Sequence, residues 1–183
     1  MNIKQAFAKI KPARNYEVLT HPDPILSQKS TEIDFASVED RTELDQLVPA
    51  LIDTMRKEKG AGLAAIQVGI PRRVFVYDDE GKSATGASVL VNPRITYRSD
   101  EGIEDEEGCL SFPALYASVG RSEKVIVEGY NLTGAAVTVE AEGFLARVFQ
   151  HEIDHLDGVT FVDRLDEDGK KLALREYFDL RTE

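Results

Sequence analysis

The chain has 183 residues, of which 42% are hydrophobic and 30% charged, an ordinary composition for one globular domain with a substantial core. Its net charge of -11 argues against direct binding to DNA and against binding to anionic membranes, and no apolar run approaches the length of a membrane span. The single cysteine excludes an internal disulfide and favours a reducing compartment, so we expect a cytoplasmic protein.

Residues 1–15 are expected to form a loosely ordered N-terminal extension of a single domain that spans 1–183. The first fourteen residues carry four basic side chains and no acidic one. Their apolar stretch is too short for a secretory signal, and chain termini commonly fray.

Apolar residues at helical spacing predict a first helix from about Thr42 to Lys59. Pro49 lies inside this pattern and is expected to kink the helix or to mark a second start. Gly60 and Gly62 are expected to end it.

Several strands are predicted after this helix. The β-branched and apolar segments are Arg73–Tyr77, Ser88–Val91, Lys124–Tyr130 and Ala136–Ala141, with Asn131–Ala135 as a hairpin loop. The segment Asp100–Glu107 holds six acidic residues in eight positions, and most of it is interpreted as a solvated loop; Glu107 is set apart because it leads directly into Cys109. Lys170–Leu180 is predicted to be a short final helix. Strands without a repeating βαβ order indicate an α+β fold with antiparallel sheets.

The segment His151–His155, of sequence HEIDH, is the most informative in the chain. Two histidines four residues apart lie on the same face of a helix, where both imidazoles can reach one metal ion. A glutamate beside the first histidine can act as a base on water at such a metal. Phe144, Val148 and the two histidines follow a helical apolar stripe, which indicates a helix packed centrally against the sheets.

Two imidazoles leave a catalytic metal short of one protein ligand, and Cys109 is the only cysteine that could complete the set. Two other interpretations of Cys109 stay open from the residues alone. It could be a buried free cysteine at the end of a strand. It could also be the nucleophile of a Cys–His hydrolase, although that assignment gives Glu152 and the paired histidine spacing no role.

A glycine-rich segment, Gly60–Gln67, precedes the strands and has the sequence GAGLAAIQ. Glycine there permits close approach of a substrate backbone, but taken alone it also fits a helix stop followed by tight packing. The segment is not a phosphate loop, because no Gly-Lys-Ser/Thr follows it.

Together, Gly60–Gln67, Glu107–Ser111 and His151–His155 resemble the peptide deformylase family, whose pattern is GxGxAAxQ, EGCLS and HExDH in that order. The resemblance runs from about Thr20 to about Leu165, and no position expected to do chemistry departs from it.

The resemblance implies a metal-dependent enzyme that removes the formyl group from the N-terminal formylmethionine of new polypeptides and releases formate. It implies that Cys109, His151 and His155 bind one divalent metal ion, usually Fe(II), with zinc or nickel able to replace it. Glu152 would be the general base and acid, Gln67 and the backbone N–H of Leu110 would hold the oxyanion, and Gly62 would lie along the substrate. Transient ribosome association is a further property of members of the family.

Within this interpretation, Arg121 is a candidate partner of Glu107 that would hold the cysteine loop, or else an exposed charge at a strand end. Phe144 and Val148 are candidates for the wall of the methionine pocket.

Two other functions are alternatives to a deformylase-type activity. A zinc metalloprotease would need a third ligand, but Phe161 stands where one protease class has histidine, and Glu176 is the only plausible downstream glutamate. A noncatalytic metal-binding protein is the other rival, and the presence of Glu152 and Gln67 argues against it.

Overall fold

The protein is described here from a computed structural model that covers residues 16–79, 81–83 and 86–181. The helices are α1 (Val38–Lys57), α2 (Gly143–Leu156) and α3 (Glu167–Leu180), with short 3₁₀ turns at Pro24–Ser27, Ala65–Val68 and Phe161–Arg164. The strands are β1 (Gly62–Ala64), β2 (Val74–Asp78), β3 (Ala87–Arg98), β4 (Gly102–Cys109), β5 (Phe112–Ser122), β6 (Lys124–Tyr130) and β7 (Ala136–Glu142). The predicted α+β class is confirmed. The predicted extension over 1–15 lies outside the described residues.

Five strands form one antiparallel sheet in the order β1-β2-β3-β6-β7, and the motif helix α2 packs against it as predicted. Alternate residues of β2 belong to different clusters of the core. Val74 and Val76 pack with α1, whereas Phe75 and Tyr77 pack with α2. Because side chains alternate across a strand, α1 and α2 lie on opposite faces of this sheet.

The acidic segment forms strand β4, so its interpretation as a loop is wrong. β4 pairs with β5 along its length in a separate two-stranded sheet. Its acidic side chains before Glu107 are exposed, as the composition suggested. Backbone pairing with β5 holds the segment as a strand without burying these side chains. The sequence therefore lacks the alternation of apolar and polar residues that usually indicates a strand.

Helix α1 begins four residues earlier than predicted and continues through Pro49. Its polar first turn gives no apolar signal, but the Ser37 side chain accepts a hydrogen bond from Asp40 N and caps it. Glu39 and Asp40 lie in that turn, where their negative charges interact favourably with the positive end of the helix dipole. Helix α3 also begins earlier than predicted, at Glu167, after the capping residue Asp166. Within the described residues, no helix combines the length and the apolar character that crossing a membrane requires.

Gly158 follows the end of α2 with a φ of +75°, the left-handed conformation that glycine commonly adopts just past a helix end. A Cβ atom at this position would lie 2.6 Å from the backbone oxygen of Ser27. The turn therefore excludes a side chain both by its conformation and by the backbone beside it.

We predict that Gly158→Ala lowers the free energy of unfolding by clearly more than Gly81→Ala, measured by denaturant titration. Gly81 has a similar φ of +80° but nothing within 4 Å of an added Cβ. In Gly81→Ala the free energy of unfolding should therefore fall only by the cost of holding alanine in the left-handed conformation, about 1–2 kcal/mol. Equal losses in the two variants would contradict the close packing at Gly158.

Candidate active site

Cys109, at the end of β4, meets His151 and His155 of α2 in one cluster, as the sequence predicted. Their ligand atoms all lie within 4.8 Å of one another. Cys109 Sγ is 3.2 Å from His155 Nε2, and the two imidazole centroids are 4.9 Å apart. One thiolate and two imidazoles on a helix are a donor set that suits a single zinc, iron or nickel ion.

Glu107 orients the first histidine of this cluster. Its carboxylate lies 3.0 Å from His151 Nδ1, and it also accepts hydrogen bonds from Arg121 Nε and Nη2 at 2.8 and 3.0 Å. Burial acts to raise the pKa of Glu107, but the hydrogen bonds from His151 and Arg121 outweigh it and bring the pKa to about 2. An ionised carboxylate can only accept, so His151 Nδ1 donates to it and Nε2 remains available as a ligand.

The structure thus confirms the candidate pair Arg121–Glu107 and rejects the alternative of an exposed charge. Arg121 is 7% exposed. It also bonds Asp154 at 2.5 Å, and Asp154 in turn accepts from Arg164 Nε at 2.9 Å. The cysteine strand and the histidine helix are therefore joined by a chain of buried ion pairs.

Groups that can carry negative charge lie close together around the two histidines: the thiol of Cys109 and the carboxyls of Glu107 and Glu152. Burial acts to raise the pKa of the Cys109 thiol, but His155 and His151 hold it well below its usual value. Burial acts to lower the pKa of His151, but the adjacent thiolate and the carboxylates of Glu107 and Glu152 hold it well above its usual range. A divalent cation would supply the positive charge that this thiolate and these carboxylates favour.

Glu152 is buried beside the cluster, opposite the glycine-rich segment. A Cβ atom at Gly62 would lie 2.6 Å from Glu152 Oε1, so only glycine leaves room for this carboxylate. Its other oxygen, Oε2, is buried and has no hydrogen-bond partner. Burial raises the pKa of Glu152 to about 7, although His151 and His155 act in the opposite direction. The group is therefore placed to take up and release a proton near neutral pH.

Gln67 points its amide nitrogen at the same cluster. Its Oε1 accepts from Ala64 N at 2.9 Å, and this bond directs Nε2 toward Cys109 Sγ at 3.6 Å and Ser111 Oγ at 3.2 Å. Leu110 lies between the cysteine and the serine and lines the same cavity. Ser111 was not singled out in the sequence, although it lies within the Glu107–Ser111 motif, and it is fully buried.

A cavity of about 580 Å³ opens onto these groups. Gly62, Gln67, Cys109, Leu110, His151 and Glu152 all line it, as do Phe144 and Val148. Phe144 and Val148 therefore line a cavity, and its use as the methionine pocket stays a prediction. Phe144 is nevertheless 69% exposed, so it stands at the mouth of the cavity rather than in the core.

Neither of the two positions considered for the third ligand of a metalloprotease, 161 and 176, supplies a ligand to the cluster. Phe161 is buried, with its ring stacked 6.2 Å from that of His151. Glu176 lies on the exposed side of α3. The third histidine of the chain, His21, stacks on Phe112 at 4.8 Å and is not a member of the ligand cluster.

Three potential ligands and a buried acid–base residue around an open cavity are the arrangement of a metallohydrolase. Comparison with known proteins narrows this class. The sequence model of the polypeptide deformylase family matches residues 15–171. A peptide deformylase of Desulforudis audaxviator is 43% identical over 149 residues, which are 81% of this chain and 92% of that protein. One from Natranaerobius thermophilus is 44% identical over 154 residues, 82% of this chain and 92% of that protein.

Solved structures agree with these sequence relatives. A peptide deformylase from Legionella pneumophila superposes with a TM-score of 0.81 and 35% identity, covering 91% of this chain and 95% of that one. The enzyme from Thermus thermophilus gives a TM-score of 0.80 and 38% identity, covering 90% and 93%. The chain therefore belongs to the polypeptide deformylase family, hydrolases that remove N-terminal formyl groups.

We predict that Cys109→Ser abolishes tight metal binding, whereas Glu176→Gln leaves it unchanged. The first change removes the thiolate of the cluster, and the second alters an exposed carboxylate on α3. Metal content after dialysis against a chelator measures both. A protein that loses its metal only in the Glu176 variant would instead support the protease-type ligand set.

Proposed function

We propose that this chain, as a single catalytic domain, removes the formyl group from the N-terminal formylmethionine of newly synthesised polypeptides by metal-dependent hydrolysis and releases formate. The observation that carries the proposal is the buried carboxylate of Glu152, which faces the Cys109, His151 and His155 cluster with one oxygen unpaired. An unpaired buried carboxylate oxygen is costly unless a substrate, a water or a proton occupies it.

Cys109, His151 and His155 would hold one divalent metal ion, which we expect to be Fe(II) in vivo and which zinc or nickel can replace. When bound, such a metal acts as a Lewis acid and lets water react as a nucleophile at neutral pH. The negative charge gathered around the cluster and the fixed tautomer of His151 both support this assignment.

Glu152 is assigned the roles of general base and general acid. It takes a proton from the attacking water and later gives that proton to the leaving amine of the peptide, so the carboxylate returns to its starting form. A pKa near 7 suits both halves of this exchange. Gly62 brings the substrate backbone next to this carboxylate, because the absent side chain leaves room for both.

Gln67 and the backbone N–H of Leu110 are assigned to the oxyanion that forms when water adds to the formyl carbon. The Gln67 amide already faces the cluster through the bond between its oxygen and Ala64 N. Donors held in place before the reaction stabilise developing charge without a reorganisation cost. The methionine side chain would then extend along the cavity wall formed by Phe144 and Val148.

The partners and location follow from this function. The substrates are N-formylmethionyl peptides, which the ribosome produces, so we propose transient association with ribosomes and a cytoplasmic location.

We predict that Glu152→Gln keeps the fold and the bound metal but loses at least ~10²–10⁴-fold in turnover of a formylated dipeptide. The amide has the shape of the carboxylate but cannot accept the proton of water. Glu106→Gln is the matched control, since Glu106 is exposed and lines the same cavity without contacting the cluster. Near-normal turnover by Glu152→Gln would refute its role and would favour a Cys–His nucleophile.

Gln67→Leu should reduce kcat by ~10²–10³-fold while metal content stays near one ion per chain. The amide is outside the proposed ligand set, and its hydrogen bond should strengthen as the carbonyl becomes an oxyanion. Metal content, melting temperature and kcat measured on one preparation separate this role from a structural one. A variant that melts earlier but keeps the wild-type kcat would show that Gln67 only satisfies the loop at Ala64.

A further inference from the structure

The β4–β5 hairpin carries Cys109 and Glu107, whereas the histidines come from α2. Among the described strands, neither β4 nor β5 pairs with the five-stranded sheet. An isolated two-stranded hairpin is marginally stable at best in water. The hairpin packs through Phe112, Leu115 and Val119 on an apolar cluster that includes α3. Its polar contacts with α2 are the ones that bring Cys109 and Glu107 to the histidines.

One polar face of α2 makes these contacts. Arg147, Gln150, His151 and Asp154 are spaced three, one and three residues apart, which places them on the same side of a helix. Gln150 bonds both the N–H and the C=O of Ser122, at 3.1 and 2.9 Å.

Arg147 makes the most extensive of these contacts, and it is only 7% exposed. Its Nη1 donates to Glu107 Oε1 at 2.8 Å and to Val119 O at 2.7 Å, with a longer contact to Asp105 O at 3.4 Å. Its Nη2 donates to Ile103 O at 2.7 Å. One guanidinium thus reaches both strands of the hairpin and the carboxylate that orients His151.

The same carboxylate oxygen, Glu107 Oε1, also accepts from Arg121 Nε. Arg121 belongs to the hairpin, so its bond fixes Glu107 within its own strand pair, and Arg121 reaches α2 separately, through Asp154. Arg147 belongs to the helix, so its bond fixes Glu107 relative to His151. The two arginines therefore do different work on one carboxylate.

We propose that Arg147 is a positioning residue that docks the β4–β5 hairpin on α2 through Glu107 and thereby sets the placement of Cys109 against His151 and His155. The inference rests on the metal site assigned above. It adds a residue to that site whose hydrogen bonds go to Glu107 and to hairpin carbonyls rather than to the metal ligands, so it acts through Glu107.

Arg147→Met tests this role, because methionine keeps much of the apolar stem and removes all four hydrogen bonds. Loss of a group that orients a metal ligand typically weakens metal binding by about 10–100-fold, and Arg147 holds such a group, Glu107, against α2. We expect a cobalt-loaded Arg147→Met protein to release its metal to a chelator about 10–100-fold faster than wild type, with a changed visible absorption spectrum.

Gln150→Met is the matched control, since it also removes hydrogen bonds between α2 and the hairpin. No hydrogen bond of Gln150 reaches Glu107, so its release rate should stay within about two-fold of wild type even if its melting temperature falls. Arg147→Lys is the second variant. A lysine can restore one charged donor to Glu107 but not the several carbonyl contacts, so it should recover part of the metal retention.

The outcomes are distinct. A wild-type protein that binds no cobalt through its thiolate would overturn the proposed metal site, whatever the Arg147 variants do. Wild-type release and an unchanged spectrum in Arg147→Met would overturn only the positioning role, as would equally fast release from Gln150→Met. If Arg147→Met fails to fold, Arg147→Gln decides the question, because glutamine places no positive charge beside Glu107, and a wild-type release rate in that variant would reject the proposal.

Discussion

The buried carboxylate of Glu107 joins the two parts of the structure that contribute ligand atoms. Glu107 lies two residues before Cys109 in the chain. It accepts hydrogen bonds from His151 and Arg147 of α2 and from Arg121 of the hairpin. Breaking a buried ion pair by removing one partner typically costs about 3–5 kcal/mol, and loss of Glu107 would remove the acceptor that Arg121, Arg147 and His151 share. The placement of the thiolate relative to the imidazoles therefore depends on this group.

The sheet and the helix give the other side of the site its rigidity. Because α2 packs on the five-stranded sheet through residues such as Phe149 and Ile153, its polar face is turned toward the hairpin. The glycine-rich segment enters that sheet as β1 and places Gly62 against Glu152. Elements that are separated in sequence thus meet at one cavity, and each is held by contacts outside the reacting groups.

Much of this could be predicted from the sequence, and the exceptions have physical causes. The HEIDH spacing predicts the motif helix because that signal is local, whereas the pairing of Arg121 with Glu107, fourteen residues away, could be offered only within the family resemblance and beside the alternative of an exposed charge. Strand β4 escaped prediction because backbone pairing alone holds its exposed acidic residues. Arg147 escaped because a single arginine in an apolar helix carries no sign of the four acceptors that tertiary folding brings to it.

The central claim is that docking of the hairpin on α2 brings one thiolate and two imidazoles to a single metal ion. X-ray absorption spectroscopy of the zinc-loaded protein tests it directly. The account predicts a first shell that contains one sulfur at about 2.3 Å and two imidazole nitrogens at about 2.0–2.1 Å. A shell of nitrogen and oxygen without sulfur would show that Cys109 is not a ligand and would contradict the account.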